Sequence, residues 1–269
     1  MSLYAIVMFA GGKRVAMKTK YFDINEDNLS VRCIQYYNDQ KNADKAVICG
    51  HGFGGHKDNK AVLRFAEKIL SKYKDTAVIC FDLPCHGDDN YPVLTLEICD
   101  KYIGHVIEYA KKTYGENVNL YGYATSFGGY LFLKYIYEHG GVFKKTVLRC
   151  PAIDMYGTFL KISDNEKNRE LLKKGKEISV GFDRKVKVKP SCFEDLKKND
   201  IREYEFFDYA DNILIIHGTS DEIVPYSDSV KFCEDNVISL IPIEKCDHRF
   251  TDPGKMDFAI SETIKFMMG

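Results

Sequence analysis

The chain has no tryptophan, only seven prolines, and no two of its nine cysteines in a C-x-x-C pair. The missing pair argues against a zinc ribbon or a redox dithiol. An excess of one charge is also missing: 38 Lys and Arg against 39 Asp and Glu leave −1 at pH 7. That balance removes the usual electrostatic argument for a general nucleic-acid binder or an anionic-membrane binder. No apolar run approaches the roughly 18 residues of a membrane span. The one signal-like stretch, Leu3 to Ala10, follows no positive charge and runs into Gly-Gly-Lys-Arg, so it is expected to be a strand and the protein cytoplasmic. A dinucleotide fingerprint and a P-loop are absent as well, because Gly52-Phe53-Gly54-Gly55 lacks both the third glycine spacing and the Lys-Ser/Thr. A small molecule or another protein remains as the partner.

What is present is a large apolar inventory, 45% of 269 residues with 18 Tyr and 17 Phe. A chain of this length buries about three quarters of its unfolded surface and needs no covalent staples. The scattered cysteines (Cys33, Cys49, Cys80, Cys85, Cys99, Cys150, Cys192, Cys233, Cys246) are expected mostly as reduced core thiols.

Apolar runs alternate with helical patterns along most of the chain. Val15 to Ile24 and Leu29 to Tyr37 alternate polar and apolar residues, as an antiparallel pair would. Lys45 to Cys49, Thr76 to Phe81, Val118 to Ala124, Lys144 to Cys150 and Asn212 to Ile216 read as strands buried on both faces, and Ser239 to Ile243 as a last strand. Between them Val62, Ala66, Ile69 and Tyr73 share one helical face, as do Cys99, Ile103, Val106 and Ala110. Tyr130 to Glu138 is a further helix stopped by Gly140-Gly141, and Met256, Ile260, Ile264 and Met267 mark a closing helix over Pro253 to Met268. Strands alternating with helices imply a mostly parallel, doubly wound sheet of about eight strands, with helices on both faces and ligands bound at the strands' C-terminal edge.

Residues 155–205 interrupt this rhythm. Helical pieces at Asn165 to Lys176 and Cys192 to Lys198 flank a β-like Lys185 to Lys189. We read 1–154 and 206–269 as the core and 155–205 as an inserted cap. Met155, Tyr156, Phe159, Leu160, Ile178, Val180, Phe182 and Phe193 are its candidates for lining a pocket. Its mildly basic balance would steer anionic substrates or simply form a solvated face.

The sharpest chemical signal is Ala124-Thr125-Ser126-Phe127-Gly128-Gly129, between a buried strand and a helix. A nucleophile elbow needs small residues two before and two after the serine, because strand and helix approach closely there. The plain alternative is a serine N-cap. His51-Gly52-Phe53-Gly54-Gly55 follows an earlier strand and can offer backbone N–H groups to an oxyanion, or be an ordinary turn. Asp221 and His248 follow later strands at the same edge, so Ser126, Asp221 and His248 occur in the chain order of a hydrolase triad. Asp154 is an alternative position for the acid. His51 and His56 lie five apart near Cys49, yet no second ligand pair has suitable spacing, so no metal is expected.

These motifs, with Asp82-Leu-Pro-Cys-His-Gly, His217-Gly-Thr-Ser-Asp221-Glu-Ile-Val-Pro and Asp247-His248-Arg-Phe, resemble an α/β-hydrolase fold serine hydrolase, close to the cinnamoyl-esterase, monoacylglycerol-lipase and serine-aminopeptidase-like group. The similarity runs from Val31 to Met268, outside the insertion. It departs from the family at Ala124, where glycine is usual, and at Cys85, where glycine is frequent. The resemblance implies Ser126 as nucleophile, His248 as general base and acid, and Asp221 as its carboxylate partner. The N–H groups of Phe53 and Phe127 would form the oxyanion hole, with His51, Gly52, Gly54 and Gly128 supporting. Asp247 would point elsewhere, Glu222 stands one place late, and His86 and His217 read as structural. The expected activity is a cofactor-free carboxylesterase. Thioesterase, acylglycerol lipase, amidase or peptidase, and a non-catalytic ligand-binding module are the alternatives.

Overall fold

The computed structural model describes residues 17–40, 43–181 and 185–269. The strand expected over 3–10, the first two residues of the one expected from Val15, and Phe182 lie outside these.

The described chain opens with a hairpin of β1 (Lys18–Glu26) and β2 (Leu29–Tyr37). Asp27 (φ 51) and Asn28 (φ 60) link them, two residue types that tolerate the left-handed backbone a two-residue hairpin turn requires. Alternation follows: β3 (Lys45–Gly50), α1 (Lys60–Lys72), β4 (Thr76–Phe81), α2 (Leu96–Tyr114), β5 (Asn119–Thr125), α3 (Phe127–His139) and β6 (Lys145–Arg149). The 155–205 segment holds α4 (Met155–Ser163), α5 (Glu166–Lys173), the short hairpin β7 (Ile178–Val180) and β8 (Val186–Val188), and α6 (Pro190–Lys198). Then come β9 (Ile213–Gly218), α7 (Tyr226–Asn236), β10 (Ser239–Ile243) and α8 (Pro253–Met268).

The main sheet has eight strands in the order β1-β2-β4-β3-β5-β6-β9-β10. Pairing is antiparallel at β1/β2 and β2/β4 and parallel from β4 through β10. The ends of β3, β5, β6, β9 and β10 therefore share one edge. Helices start on capping side chains where the chain leaves that edge: Asn59 accepts from the Val62 N–H, Asp154 from Gly157, and Asp252 from Gly254 and Lys255.

Side chains alternate between two apolar layers. Ala46, Ile48, Ile79 and Phe81 face α2 and α3, whereas Val47, Cys49, Val78 and Cys80 face α1 and α8. Phe159, Ile178, Val186, Phe193, Ile201 and Phe206, from 155–205 and the residue after it, are buried in the same cluster as α2 and α3. The segment thus shares a core with the sheet. Among the described residues, no helix is long and apolar enough to cross a membrane.

Candidate active site

Ser126 follows the last residue of β5 and has φ 54, ψ −118, a strained conformation for a residue with a Cβ. Its hydroxyl makes no capping bond to α3, so it does not serve as the ordinary N-cap its sequence position allows. The close approach it creates is visible in its glycines. A Cβ on Gly128 would stand 2.6 Å from the His51 carbonyl oxygen and 2.9 Å from the Gly50 backbone, and one on Gly129 would stand 2.8 Å from the Pro151 Cβ. Ala124 is tolerated where glycine is usual because the residue paired with it across β3 and β5 is Gly50, whose missing side chain leaves room for the methyl.

The loop after β3 lies over Ser126. Gly52 carries no side chain against it, since a Cβ there would be 3.2 Å from the Ser126 Cβ. The Gly55 N–H donates to the Gly52 carbonyl at 2.9 Å, closing a tight turn with Gly54 at φ 74, which glycine adopts without strain. His51 Nε2 accepts from the Leu83 N–H at 3.0 Å, so Nδ1 carries the proton and donates to the Gly52 carbonyl at 2.8 Å. The loop is thereby tied to the end of β4. The Phe53 ring packs edge-on against Phe127, His86 and Phe159. Phe127 is the first residue of α3, where an N–H has no helical acceptor.

Lys57 and Asp82 form a second tie. The Lys57 ammonium is 2.8 Å from one Asp82 oxygen, its backbone N–H is 2.7 Å from the other, and both side chains are buried. Gly87 (φ 56) follows Asp82 in the same motif, and a Cβ there would collide with the carboxylate at 2.2 Å. Cys85 also has positive φ, 66, which explains why glycine suits that position.

The imidazole of His248, on the loop between β10 and α8, meets Asp221, on the loop after β9. His248 Nδ1 lies 2.6 Å from Asp221 Oδ2 and donates to it, so that in the neutral imidazole Nε2 is the nitrogen without a proton. Asp221 Oδ1 accepts from the N–H groups of Ile223 and Val224 at 2.9 and 2.8 Å. Its Oδ2 accepts a second histidine, His217 Nε2, at 3.1 Å, and His217 Nδ1 accepts from the Ser229 hydroxyl at 2.7 Å. The buried Cys150 thiol hydrogen-bonds the same carboxylate. Burial opposes the charge on Asp221, but the hydrogen bonds from His217 and His248 outweigh it and hold the acid well below the usual carboxylate range. His217, which the sequence marks only as structural, thus also holds the acid, a contact made by the turn after β9 and carried by no residue spacing. Cys150, His217 and Asp221 present ligand atoms within 4.8 Å of one another. Those atoms are engaged in the hydrogen bonds just described, which accounts for their convergence without an ion.

The remaining acids go elsewhere. Asp154 caps α4 and lies 3.3 Å from the Arg202 guanidinium. Glu222 accepts the His248 backbone N–H at 3.3 Å, and Asp247 accepts the Thr251 N–H. Ser126 and His248 line one cavity of about 750 Å³ together with the loop after β3, the start of α1, Arg149, Ile223 and Arg249. From the 155–205 segment it receives Met155, Thr158 and Ile162. Of the other residues expected to line it, Phe159, Ile178, Val180 and Phe193 are buried in the core, Tyr156 packs partly buried against that core and Leu160 is exposed.

The strand order and the strained serine turn define an α/β-hydrolase fold serine hydrolase. A profile of the prolyl oligopeptidase family matches residues 99–236, just over half of the chain, and the chain belongs to that family. The matched span contains Ser126 and Asp221 and ends before His248. No curated protein sequence matches. Solved structures share the fold at low identity. The Butyrivibrio proteoclasticus protein Est1E with bound ferulic acid is 20% identical, with a TM-score of 0.74 over 92% of this chain and 98% of that one. Mouse alpha/beta hydrolase domain-containing protein 10 is 15% identical, with a TM-score of 0.70 over 91% and 97%. A soluble variant of Saccharomyces cerevisiae monoglyceride lipase with a substrate analog is 15% identical, with a TM-score of 0.68 over 93% and 94%.

Proposed function

We propose that the chain is a carboxylesterase whose catalytic residues are Ser126, His248 and Asp221. The observation that carries this reading is the 2.6 Å bond from His248 Nδ1 to Asp221, which leaves Nε2 as a base in the cavity that Ser126 also lines. Ser126 Oγ attacks the ester carbonyl as Nε2 takes its proton, and the carbonyl oxygen becomes an oxyanion held by the N–H groups of Phe53 and Phe127. The imidazolium, stabilised by Asp221, returns the proton to the departing alkoxide and an alcohol leaves. Water, losing a proton to Nε2, then attacks the acyl-enzyme, and the acid departs as Oγ regains the proton. No cofactor enters these steps.

Residues 155–205 act as a cap that bounds the acyl pocket through Met155, Thr158 and Ile162. Nine free cysteines, eight of them buried, suit a reducing compartment, which supports a cytoplasmic site of action. The ferulic acid held by Est1E favours including aryl esters among the substrates tested. The family assignment favours amide or peptide cleavage as the second reading.

The test is labelling with a fluorophosphonate, followed by hydrolysis of p-nitrophenyl esters of increasing chain length, a feruloyl ester and a proline anilide. We expect Ser126 to be labelled and esters to be turned over. Ser126→Ala should lower kcat by a factor on the order of 10⁶ while leaving the fold intact. Faster cleavage of the anilide would make the enzyme a peptidase, and labelling without turnover would indicate a binding module.

A further inference from the structure

Among the described residues, those lining the active-site cavity include the basic side chains of Lys60, Arg149 and Arg249 and no Asp or Glu. Arg149 is the unusual member. It ends β6, is 7% exposed, and lies with its guanidinium 4.9 Å from the centre of the Phe250 ring. One Nη donates to the His248 carbonyl at 3.1 Å, while Nε is buried with no hydrogen-bond partner. Among the described residues no carboxylate lies within ion-pair distance of it. The Tyr123 hydroxyl, the Phe250 ring and the His248 carbonyl offset part of the cost of burying this guanidinium, but none of them is a counter-charge, and an anion in the cavity would supply one.

The surroundings favour such an anion. α1 begins at Lys60, and Lys60 and Ala61 line the cavity. Asn59 occupies the Val62 N–H, and the Lys60 and Ala61 N–H groups, in the first turn, have no helical acceptor. Arg149 and Tyr123 stand on the face of the sheet that α1 and α8 cover, whereas Phe53, Phe127 and Phe159 pack on the other face. Ser126 lies at the tip of the strand between them. The cavity therefore has an apolar end, toward Phe53, Met155 and Ile162, and a cationic end at Arg149 and the start of α1.

We propose that the substrate is an ester bearing an anionic group, a carboxylate or phosphate, which Arg149 binds with the start of α1 while Ser126 attacks the carbonyl. This rests on the esterase reading above. The balanced charge of the whole chain hides the feature, because the cationic residues meet only in the folded protein.

The test compares two esters that differ only at the far end of the acyl chain, monomethyl glutarate and methyl pentanoate, by acid release. Wild type should show a kcat/KM about 10-fold or more higher for the half-ester. In Arg149→Gln the ratio should collapse toward unity, mainly through KM of the anionic ester. Lys60→Gln, at an exposed position, should reduce the ratio partially and serves if the Arg149 variant does not fold. Calorimetric titration of each protein with glutarate and with inorganic phosphate tells which anion the site takes, and binding should be lost in Arg149→Gln. Equal use of both esters by wild type, or a ratio unmoved in both variants, overturns the proposal while leaving the esterase reading intact. If Ser126 is not labelled and neither ester is cleaved, the esterase reading fails, and the calorimetry alone decides: loss of anion binding with Arg149 upholds the anion site, and its retention or absence throughout rejects it.

Discussion

Asp221 shows how a buried charge is kept. Two backbone N–H groups hold one of its oxygens and two histidines the other. Replacing it by Asn should leave the backbone in place but lower kcat by a factor on the order of 10⁴, because His248 loses its anionic partner. Asp154→Asn is the control; any loss of helix capping should stay near 1 kcal/mol, with kcat retained. Equal kcat losses in the two variants would contradict this division of roles. His86 offers a pH test. Burial, with the nearby His51 adding to it, pushes its pKa down to about 3. The unfolded chain takes up this proton near pH 6.5, whereas the folded one resists it until about pH 3. This contribution to stability is present above the unfolded value and is lost as pH falls through that window, at up to about 1.4 kcal/mol per pH unit. Urea midpoints of His86→Gln should therefore depend less steeply on pH than those of wild type between about pH 4 and 6.

Between elements, backbone contacts set the tolerances. The first turn of α3 rests on the end of β3, where the partners of a Cβ at Gly128 would be the backbone of Gly50 and the His51 carbonyl. Neither can yield without moving the loop over Ser126. Gly128→Ala should cost about 1 to 3 kcal/mol of stability in chemical denaturation and should depress ester turnover in the protein that still folds. α7 shows why part of the architecture was not legible in the sequence. Its buried face includes Ser229, which bonds His217, and Asn236, which bonds the Phe206 N–H, so the hydrophobic period that marks α1 and α2 is broken by polar residues with buried partners. β7 was missed for a different reason: three residues are too short for alternation to register, and only its partner β8 fell within an expected strand.

For the whole molecule, sequence was most informative where chemistry constrains neighbours along the chain. Ser126, the loop at Gly52 and the Asp221 motif are each local, so the sequence alone raises each of them as a candidate. The anion site proposed at Arg149 and Lys60 has no such local signature, because only the strand order brings the two to one cavity, and the lysines of 155–205 do not line it. Since that segment shares its core with α2 and α3, point substitutions probe it better than deletion. Ile162→Ala should raise kcat/KM for a feruloyl ester relative to a short-chain ester several-fold, and an unchanged ratio would mean that α4 does not set substrate size. The two-sided core also bears on the order in which the protein assembles. The layer under α1 and α8 is closed by contacts such as Arg64 to Asp257, separated by 193 positions, whereas β5 and α3 adjoin in sequence. Long closures form late in folding because their chain entropy is lost before any contact rewards it. The serine turn can thus be in place before His248, just ahead of α8, is delivered to it. Refolding followed by circular dichroism and by ester hydrolysis should therefore show secondary structure returning before turnover.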